Sequence, residues 1–332
     1  MIIVKAPLRI TFIGDATDLP GFCGLYQGKL ISTTIDKYIY IVINDKYQSD
    51  NYVIKHGITE IVDTIGEIKH SRFRMALTEL GIKNGMEIGV FSDLPGNTGL
   101  GSSSTFSVAL IKALHKFLGK DTDAKSVAEE ASRLEIELLK EPIGKQDQYA
   151  AAYGGFNRLQ FNTNGSVDVE PVKTGKSEIK KLNDYSMLFF TGITRHASSI
   201  LTEQIEKIKD NFDTYKKMAD STSEFEKALS DGYMKKIGEL IDREWQWKKT
   251  LSSNVSNELI DRLYDTAKTA GALGGRLIGA GSGGCLFCLV EPEKRTAVSQ
   301  ALVEQAKKEN LSGFVEVPIK FINKGAELIF NE

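Results

Sequence analysis

A glycine-rich turn joined to three serines is the part of this sequence best suited to hold phosphate. Gly96, Gly99 and Gly101 allow backbone conformations that bring N–H groups close to an anion. Ser102–Ser104 follow, and apolar residues then recur at helical spacing as far as Phe117, which predicts a helix beginning at Ser102. The unpaired amides and the positive dipole end of such a helix favour a phosphate group.

The turn departs from the two commonest phosphate-binding loops. The Gly-Lys-Ser/Thr ending of a Walker A loop is missing from it, and Pro95 and the serines stand where a dinucleotide-binding fingerprint needs strand and glycine. Taken alone, such a stretch is more often an ordinary tight turn before an N-capped helix. Its neighbours in the chain decide between the two interpretations.

Three segments resemble, in order, the three motifs of the GHMP kinases, the superfamily of galactokinase, homoserine kinase, mevalonate kinase and phosphomevalonate kinase. Ala6–Pro20 resembles the first motif, Leu94–Ser104 the second and Gly271–Cys285 the third. The resemblance implies an α+β, two-domain GHMP kinase fold. An N-terminal nucleotide-binding domain like the second domain of ribosomal protein S5 would span 1–170, and a ferredoxin-like C-terminal domain would span 171–332. Both substrates would bind in the cleft between them.

By this resemblance the second motif binds ATP, and a Mg²⁺ ion accompanies the nucleotide. The expected nucleotide contacts are Pro95, Gly96, Asn97, Gly99, Leu100, Gly101, Ser102, Ser103 and Ser104. Ser104 and Glu135 are the expected metal ligands, with phosphate oxygens and water completing the octahedron. The helix pattern alone allows another interpretation, in which Glu135, Glu137 and Glu141 form an ordinary solvated helix face.

Phosphoryl transfer needs an oriented hydroxyl, a group that accepts or balances its proton, and cations around the phosphoryl. The resemblance of Gly144–Tyr149 to a galactokinase-like segment makes Asp147 the candidate base. The position of Arg9 in the first motif places it near the transferred phosphoryl. Lys145 is close enough in sequence to stabilise the charge of Asp147 or to touch a phosphate. The structural alternative for Arg9 is a place in an apolar strand.

The first and third motifs are also expected to contact the acceptor. Asp18 matches a position that binds substrate hydroxyls, and Thr17 beside it is also an expected substrate contact; the alternative is that Thr17 and Asp18 simply close a turn. Asp15 stands where the family usually has a glycine, so an extra carboxylate would face the sugar and repel a distal phosphate. Gly281 lies in a glycine run that is expected to bring backbone close to the substrate, with a packing role for these glycines as the alternative, and Ser282 interrupts that run.

One branch of the superfamily fits best, the D-glycero-D-manno-heptose 7-phosphate kinases. The segments that resemble it are Pro7–Ile10, Thr17–Pro20, Ser32–Tyr38, Gly144–Phe156 and Thr191–Arg195. The implied reaction is phosphorylation of the anomeric hydroxyl to give a 1,7-bisphosphate for nucleotide-heptose and surface-polysaccharide synthesis. Arg195, with His196, is a candidate for binding the 7-phosphate, as are Lys37 and Lys145.

Two other function classes stay open. One is a kinase for another small alcohol, such as a hexose, fucose or an isoprenoid precursor. The other is a catalytically silent sugar-sensing protein that kept the fold. A complete set of Ser104, Glu135 and Asp147 disfavours a sensor, which need not retain it.

Composition favours a cytoplasmic enzyme whose partners are a sugar phosphate and ATP. The chain has 332 residues, with 42 basic against 44 acidic side chains, and no basic cluster that would indicate nucleic acid or a membrane surface. Its three cysteines argue against a disulfide framework. The oligomeric state is left open, with a homodimer as one option.

The elements that must position these residues alternate between strands and helices in the first half. Predicted strands cover Leu30–Ile43, interrupted at Asp36–Lys37, and Met86–Phe91; predicted helices cover Phe73–Leu80 and Asp123–Leu139. In the second half, long charged helices are predicted over much of 197–250. A last strand is predicted near Val315–Phe321.

Overall fold

The computed structural model describes residues 1–45, 50–194 and 198–332. Helices in these ranges are α1 (Pro20–Cys23), α2 (Ser71–Glu79), α3 (Ser102–Phe117), α4 (Ala124–Ser132), α5 (Gln146–Tyr153), α6 (Lys176–Tyr185), α7 (Ser198–Glu206), α8 (Phe212–Ser230), α9 (Met234–Leu251), α10 (Glu258–Thr269) and α11 (Arg295–Lys308). Strands are β1 (Ile2–Ile13), β2 (Gly28–Asp45), β3 (Tyr52–Lys55), β4 (Thr59–Val62), β5 (Met86–Ser92), β6 (Phe156–Phe161), β7 (Val167–Pro171), β8 (Ser186–Phe190), β9 (Ala272–Leu277), β10 (Cys285–Val290), β11 (Val315–Glu316), β12 (Phe321–Ile322) and β13 (Glu327–Asn331). The predicted α+β class is confirmed.

The larger sheet is built around the long strand β2. Its path runs β13-β1-β2-β5-β3-β4, and β6 and β12 also pair with β2. The sequence predicted an interruption at Asp36–Lys37, but β2 continues through it. Pro7 of β1 pairs with Tyr38 and Arg9 pairs with Thr34, so β2 bulges between those partners and then resumes its ladder. β2 therefore remains one continuous strand on both sides of the bulge.

The last strands of the chain return to this larger sheet. β12 pairs with β2 and β13 pairs with β1, both antiparallel. A division of the chain at residue 170 stays a prediction, and in this topology the first sheet draws strands from both ends of the chain. The sequence did not predict β13, a short apolar run without alternation in which Leu328 and Ile329 are exposed.

A smaller sheet of order β11-β8-β10-β9 forms the second half of the molecule. β10 is buried along its whole length, as its uninterrupted apolar run requires. α10 and α11 pack around this sheet and share a core with it, in which Trp245 of α9 is fully buried. α8 and α9 also contact β1, β2 or both, so they connect the two sheets. No helix in the described ranges is long and apolar enough to cross a bilayer.

The predicted helix over Asp123–Leu139 is divided in two. Asp123 caps α4 by accepting a hydrogen bond from the Ser126 N–H group, and a π-helical turn then covers Arg133–Leu138. A π-helical turn shifts the side chains that follow it around the helix axis. Glu135 lies in this turn and is fully buried, whereas its helical spacing alone suggested a solvated face.

Candidate active site

A cavity of about 510 Å³ lies where β1, α3 and α5 meet α7, α9 and the loop between β9 and β10. Its walls are formed by Arg9, Asp15, Ala16, Asp18, Leu19, Arg72, Asn97, Gly99, Gly101, Ser102, Ser103, Ser104, Glu141, Pro142, Ile143, Gly144, Gln146, Asp147, Leu201, Gln204, Lys248, Ile278, Gly279, Ala280, Gly281 and Gly283. All three motifs singled out in the sequence contribute to it. The predicted cleft is therefore present, with charged and amide side chains at its walls.

The serine-glycine turn has the conformation of an anion cradle. Gly101 caps α3 in the left-handed region, with φ of 77°, and α3 then begins at Ser102 as predicted. Gly101 also packs closely against Asp147. A Cβ placed on Gly101 would lie 3.2 Å from the Asp147 carboxylate. The N-terminal amides of α3 and the hydroxyls of Ser102–Ser104 thus face the same cavity as Asp147.

The predicted nucleotide residues do not all lie at the cavity. Asn97, Gly99 and Gly101 line it, whereas Pro95 and Gly96 are exposed outside it. Leu100 is fully buried, and its carbonyl accepts a hydrogen bond from the Arg9 N–H group at 3.1 Å. Leu100 therefore fixes the turn onto β1 instead of facing a ligand.

The two glycine loops pack directly on each other. A Cβ on Gly99 would lie 2.1 Å from the Ile278 carbonyl oxygen, and one on Gly279 would lie 2.5 Å from the Gly99 Cα. The Cys285 N–H group donates to the Thr98 carbonyl at 2.9 Å. Glycine at both positions lets the backbone of the third motif reach the second, and through this contact Gly281 comes to the cavity wall.

Ser282, the residue that interrupts the glycine run, is directed away from the cavity. It is buried with φ of 62°, its hydroxyl donates to the Asn254 carbonyl, and its N–H group donates to the Val255 carbonyl at 2.9 Å. The hydroxyl thus ties the loop to the segment between α9 and α10. This departure from the family pattern therefore has a structural explanation, and Ser282 is not among the residues that line the cavity.

Arg9 and Asp147 form the ion pair at the centre of the cavity. The Arg9 Nε–H group donates to Asp147 Oδ1 at 2.7 Å, and an Arg9 Nη1–H group donates to the Gly99 carbonyl. Arg9 is buried, while about a fifth of the Asp147 side chain is exposed to the cavity. Burial alone would lower the pKa of Arg9, but the Asp147 carboxylate overrides this and raises it, so the guanidinium stays charged.

Lys145 lies close to Asp147 in sequence but points elsewhere. It precedes α5, and its ammonium group donates to the Gly165 carbonyl at 2.8 Å, in the turn between β6 and β7. Asp147 is in the first turn of α5 and faces the opposite way, toward the phosphate turn. The predicted catalytic contribution of Lys145 has no counterpart in this arrangement.

Asp18, predicted to contact the acceptor, is a buried carboxylate at the cavity wall. It accepts hydrogen bonds from the backbone N–H group of Gln146 at 3.0 Å and from the Gln146 side-chain amide at 3.1 Å. Burial raises the pKa of Asp18 to about 7, and the nearby charges of Asp147 and Asp15 add to this, while the Gln146 N–H group opposes it. The group can therefore change charge near neutral pH.

Asp15 belongs to a buried charge network that the sequence did not reveal. Its carboxylate binds the Lys248 ammonium and the Arg276 guanidinium, and Arg276 also donates to Glu244 at 2.9 Å. Glu244 in turn accepts from the Gly14 N–H group at 2.7 Å. Burial alone would raise the pKa of Asp15, but Lys248 and then Arg276 override it and hold the pKa well below its usual range.

The network changes the meaning of Asp15. The sequence suggested an uncompensated carboxylate that would repel a distal phosphate. Lys248 contacts Asp15, and Arg276 contacts both Asp15 and Glu244, so the two carboxylates are matched by two cations and Asp15 adds no uncompensated negative charge to the cavity wall. The repulsion argument against a phosphorylated sugar therefore no longer holds.

The sequence gives only a weak indication of the roles of Lys248, Glu244 and Arg276. Glu244 and Lys248 stand four residues apart on α9, on the face that otherwise buries Ile237, Ile241 and Leu251. Arg276 sits inside a buried strand. Charged residues at positions where the period demands apolar ones indicate paired buried charges. That signal does not name the partners, and Asp15 is 233 residues from Lys248 and 261 residues from Arg276.

Thr17 has a structural role in this arrangement. It is fully buried, and its hydroxyl oxygen lies 2.7 Å from the Gly14 carbonyl oxygen and 2.9 Å from that of Lys29. It thus holds the Asp15–Asp18 segment against β2. Arg195, predicted to bind the distal phosphate, and its neighbour His196 lie outside the described residues.

The two predicted metal ligands lie in different surroundings. Ser104 lines the cavity. Glu135 is fully buried, with the Arg72 Nε–H group at 3.1 Å and the Ser107 hydroxyl at 2.9 Å on one oxygen and the Gln148 amide on the other. Within the described residues no cluster of three or more His, Cys, Asp or Glu side chains could hold a metal ion. A Mg²⁺ ion on Glu135 would compete with Arg72 for the carboxylate, so this arrangement favours an ion pair over a metal ligand at Glu135.

Arg72 is a further residue that sequence reasoning missed. It lines the cavity beside the serines and joins two carboxylates, Glu135 at 3.1 Å and Glu141 at 2.6 Å. Its signal in the sequence is weak, because α2 shows an ordinary amphipathic pattern in which an arginine is unremarkable. The assignment of Glu135 to magnesium stays a prediction.

Comparison with known proteins agrees with the three motifs. The model of the GHMP kinases N terminal domain matches residues 67–155, and that of the GHMP kinases C terminal matches residues 225–308. The chain is 29% identical over 317 residues to a D-glycero-alpha-D-manno-heptose 7-phosphate kinase of Campylobacter jejuni, covering 90% of this chain and 92% of that protein.

Two solved structures share the fold along the chain. A D-glycero-D-manno-heptose 1-phosphate kinase from Bacteroides thetaiotaomicron has a TM-score of 0.81 at 24% identity, covering 100% of both chains. The galactokinase of Lactococcus lactis complexed with galactose has a TM-score of 0.77 at 20% identity, covering 98% of this chain and 94% of that one. The predicted two-domain kinase fold is confirmed, and the chain belongs to the GHMP kinases, a family of ATP-dependent phosphotransferases.

Proposed function

We propose that this kinase transfers the γ-phosphoryl group of ATP to the anomeric hydroxyl of D-glycero-D-manno-heptose 7-phosphate. The observation that carries the proposal is the placement of the Arg9–Asp147 ion pair directly beside Gly101 and the N-terminus of α3. A base, a cation and a phosphate cradle then adjoin one another at one point of the cavity. The Campylobacter jejuni relative supports the choice of a heptose phosphate as acceptor.

In the proposed reaction the nucleotide phosphates lie on the turn of Gly99–Ser104, where backbone N–H groups and the α3 dipole offset their charge. Asp18 and Gln146 hydrogen-bond the sugar and direct its anomeric hydroxyl at the γ-phosphorus. The new bond joins the hydroxyl oxygen to that phosphorus, the bond to the ADP oxygen breaks, and the hydroxyl proton passes to Asp147. Arg9 stabilises the charge that develops on the transferring group.

Magnesium is proposed here only as the companion of the nucleotide. Bound Mg²⁺ would neutralise phosphate charge and, because the Glu135 carboxylate is already paired with donors, would depend mainly on phosphate oxygens and water. Ser104, the other predicted ligand, lines the cavity. The protein groups in the steps above are the turn of Gly99–Ser104, Arg9, Asp147, Asp18 and Gln146, and none of these steps depends on Glu135.

A neutral sugar is the second candidate, and a specific observation favours it. Within the described residues, the cations that line the cavity are Arg9, Arg72 and Lys248, and each is already paired with a carboxylate. A 7-phosphate would need a further cation, for which Arg195 is the predicted source. A hexose or fucose acceptor would need none.

The test is ADP release with ATP and Mg²⁺ across D-glycero-D-manno-heptose 7-phosphate, the unphosphorylated heptose, mannose, galactose and fucose. Turnover of the heptose 7-phosphate, lost in Asp147→Asn and at least tenfold slower with the unphosphorylated heptose, is the expected result. Turnover of a neutral sugar at equal or greater efficiency would replace the first candidate with the second. Product stereochemistry and position, read by ³¹P and ¹H NMR, would identify the hydroxyl that is phosphorylated.

A further inference from the structure

Gln204 is a buried glutamine at the cavity wall whose side-chain amide lacks partners. Its exposed fraction is 0%, and both Nε2 and Oε1 have no hydrogen-bond partner in the part of the chain that the structure describes. The residue lines the cavity. Leaving both ends of a buried amide unpaired destabilises a fold, so such a group is expected to gain its partners from a ligand.

The position of α7 places Gln204 at the acceptor end of the cavity. Leu201 and Ile205 of this helix pack against a cluster that contains Ala16 and Leu19. These two residues belong to the same segment as Asp15 and Asp18. Since positions 201, 204 and 205 share one face of a helix, Gln204 faces the segment that carries the acceptor carboxylates.

The chemistry of the amide limits what it can bind. A neutral carboxamide offers two N–H donors and one carbonyl acceptor side by side. A phosphate group can accept from the N–H groups but leaves the carbonyl oxygen unpaired. Two adjacent hydroxyl groups satisfy both ends, because one hydroxyl donates to Oε1 and the other accepts from Nε2. The neighbouring Lys248, already paired with Asp15 and the Gly279 carbonyl, is held in place and does not compete for the amide.

We propose that Gln204 is a specificity-determining residue that binds a pair of neighbouring hydroxyls on the acceptor. This inference rests on the proposed function, because it assumes that the acceptor is a polyol. Gln204 selects against acceptors that lack either hydroxyl, since each missing group leaves an amide atom buried without a partner. Its action is on acceptor binding, so the binding of ATP does not depend on it.

The test compares Gln204→Leu with the wild-type enzyme, with Gln246→Leu as a matched control on the exposed side of α9. Acceptors are D-glycero-D-manno-heptose 7-phosphate, D-mannose and the monodeoxy-mannoses. For the best acceptor, kcat/KM should fall 10- to 100-fold in Gln204→Leu, mainly through KM, with KM for ATP unchanged. In the wild-type enzyme, kcat/KM should fall much further for two of the deoxy sugars than for the others. This difference should be smaller in Gln204→Leu.

The unfolding temperature without ligand separates a binding role from a structural one. Gln204→Leu removes two unpaired buried polar atoms, so its unfolding temperature should equal or exceed that of the wild type. A lower unfolding temperature together with unchanged acceptor kinetics would overturn the inference, because the amide would then serve the fold.

A failure of the proposed function can be distinguished from a failure of the inference about Gln204. If the wild-type enzyme turns over none of the sugars, calorimetric titration with the same acceptors still reports on Gln204. Binding that is weaker in Gln204→Leu supports the inference while the kinase proposal for these sugars fails. An absence of binding to the wild type overturns both. Turnover and binding identical in the two proteins overturns the inference alone.

Discussion

Arg9 donates from Nε to the Oδ1 oxygen of Asp147 across 2.7 Å, and this contact joins β1 to α5. Arg9 also donates to the Gly99 carbonyl, so one guanidinium links Asp147 to the glycine turn before α3. Asp147 and the glycine turn are therefore held in fixed relative positions before any substrate binds. Preorganised charge of this kind costs little reorganisation at the moment of transfer.

Replacing Asp147 with asparagine should remove catalysis and leave nucleotide binding intact. The amide keeps the size of the side chain and can still accept from Arg9, but it cannot take the hydroxyl proton. We expect kcat to fall by about 10²–10⁴-fold, as for the loss of a general base. ADP release measures kcat, and calorimetric titration with a non-hydrolysable ATP analogue is the control. A loss below tenfold would show that Asp147 is not the base.

Gly101 offers a test of the phosphate turn with a matched control. Gly101→Ala would put a Cβ 3.2 Å from the Asp147 carboxylate and 3.3 Å from the Arg9 side chain, at φ of 77°. Gly165→Ala imposes similar backbone strain at φ of 83° with no atom within 4 Å. Both variants should lose about 1 kcal/mol of unfolding free energy.

Only Gly101→Ala should lose activity, by more than tenfold in kcat, because the Arg9–Asp147 pair must shift to admit the methyl group. Urea unfolding and ADP release measure the two effects. Equal activity in the two variants would mean that the pair tolerates the added methyl group, contrary to the packing described above.

The parts of the site that could be predicted are those written in contiguous sequence. The turn before α3, the helix start at Ser102 and the position of Asp147 follow from local backbone preferences, and the structure places Ser102 and Asp147 at one cavity. Local preference does not fix side-chain direction at a helix start. Lys145, the residue before α5, therefore took a partner in the β6–β7 turn that its sequence neighbours did not indicate.

The rest of the site depends on contacts between distant parts of the chain. Asp15 and Arg276 are 261 residues apart and meet only when the smaller sheet packs on β1. Glu135 shows the same limit on a smaller scale. A π-helical turn, which residue periodicity does not encode, directs it inward to Arg72. Charged residues at core positions can indicate that buried partners exist, but identifying the partners requires the tertiary structure.

Removing Arg276 should destabilise the protein strongly. Arg276→Met deprives Asp15 and Glu244 of a guanidinium that is 0% exposed, and leaves two buried carboxylates short of positive charge. We expect a loss of about 3–5 kcal/mol in the free energy of unfolding, as for a buried ion pair that loses one partner.

Arg262→Met is the control, because Arg262 pairs with Glu309 at the surface and should cost less than about 1 kcal/mol. Chemical denaturation of the two variants gives the comparison. If both lost the same small amount, the buried network would be unimportant for stability.

Asp18 should make stability depend on pH. Burial raises its pKa to about 7 in the folded protein, against 3.8 for the free side chain. Between these values the folded state binds a proton that the unfolded state has released, so stability from this group falls as pH rises and is constant above about pH 7. The slope is at most about 1.4 kcal/mol per pH unit.

The variant Asp18→Asn has no proton to release and should escape this loss. Its free energy of unfolding, measured in urea, should therefore exceed that of the wild type by more at pH 8 than at pH 5, with a difference of about 1–3 kcal/mol between the two conditions. Asp168→Asn, at an exposed aspartate of β7, should show no such change. A gap between Asp18→Asn and wild type that stays constant from pH 5 to 8 would mean that Asp18 titrates below pH 5 in the folded protein. The Asp18 carboxylate would then be ionised from pH 5 to 8, stabilised by its hydrogen bonds from Gln146.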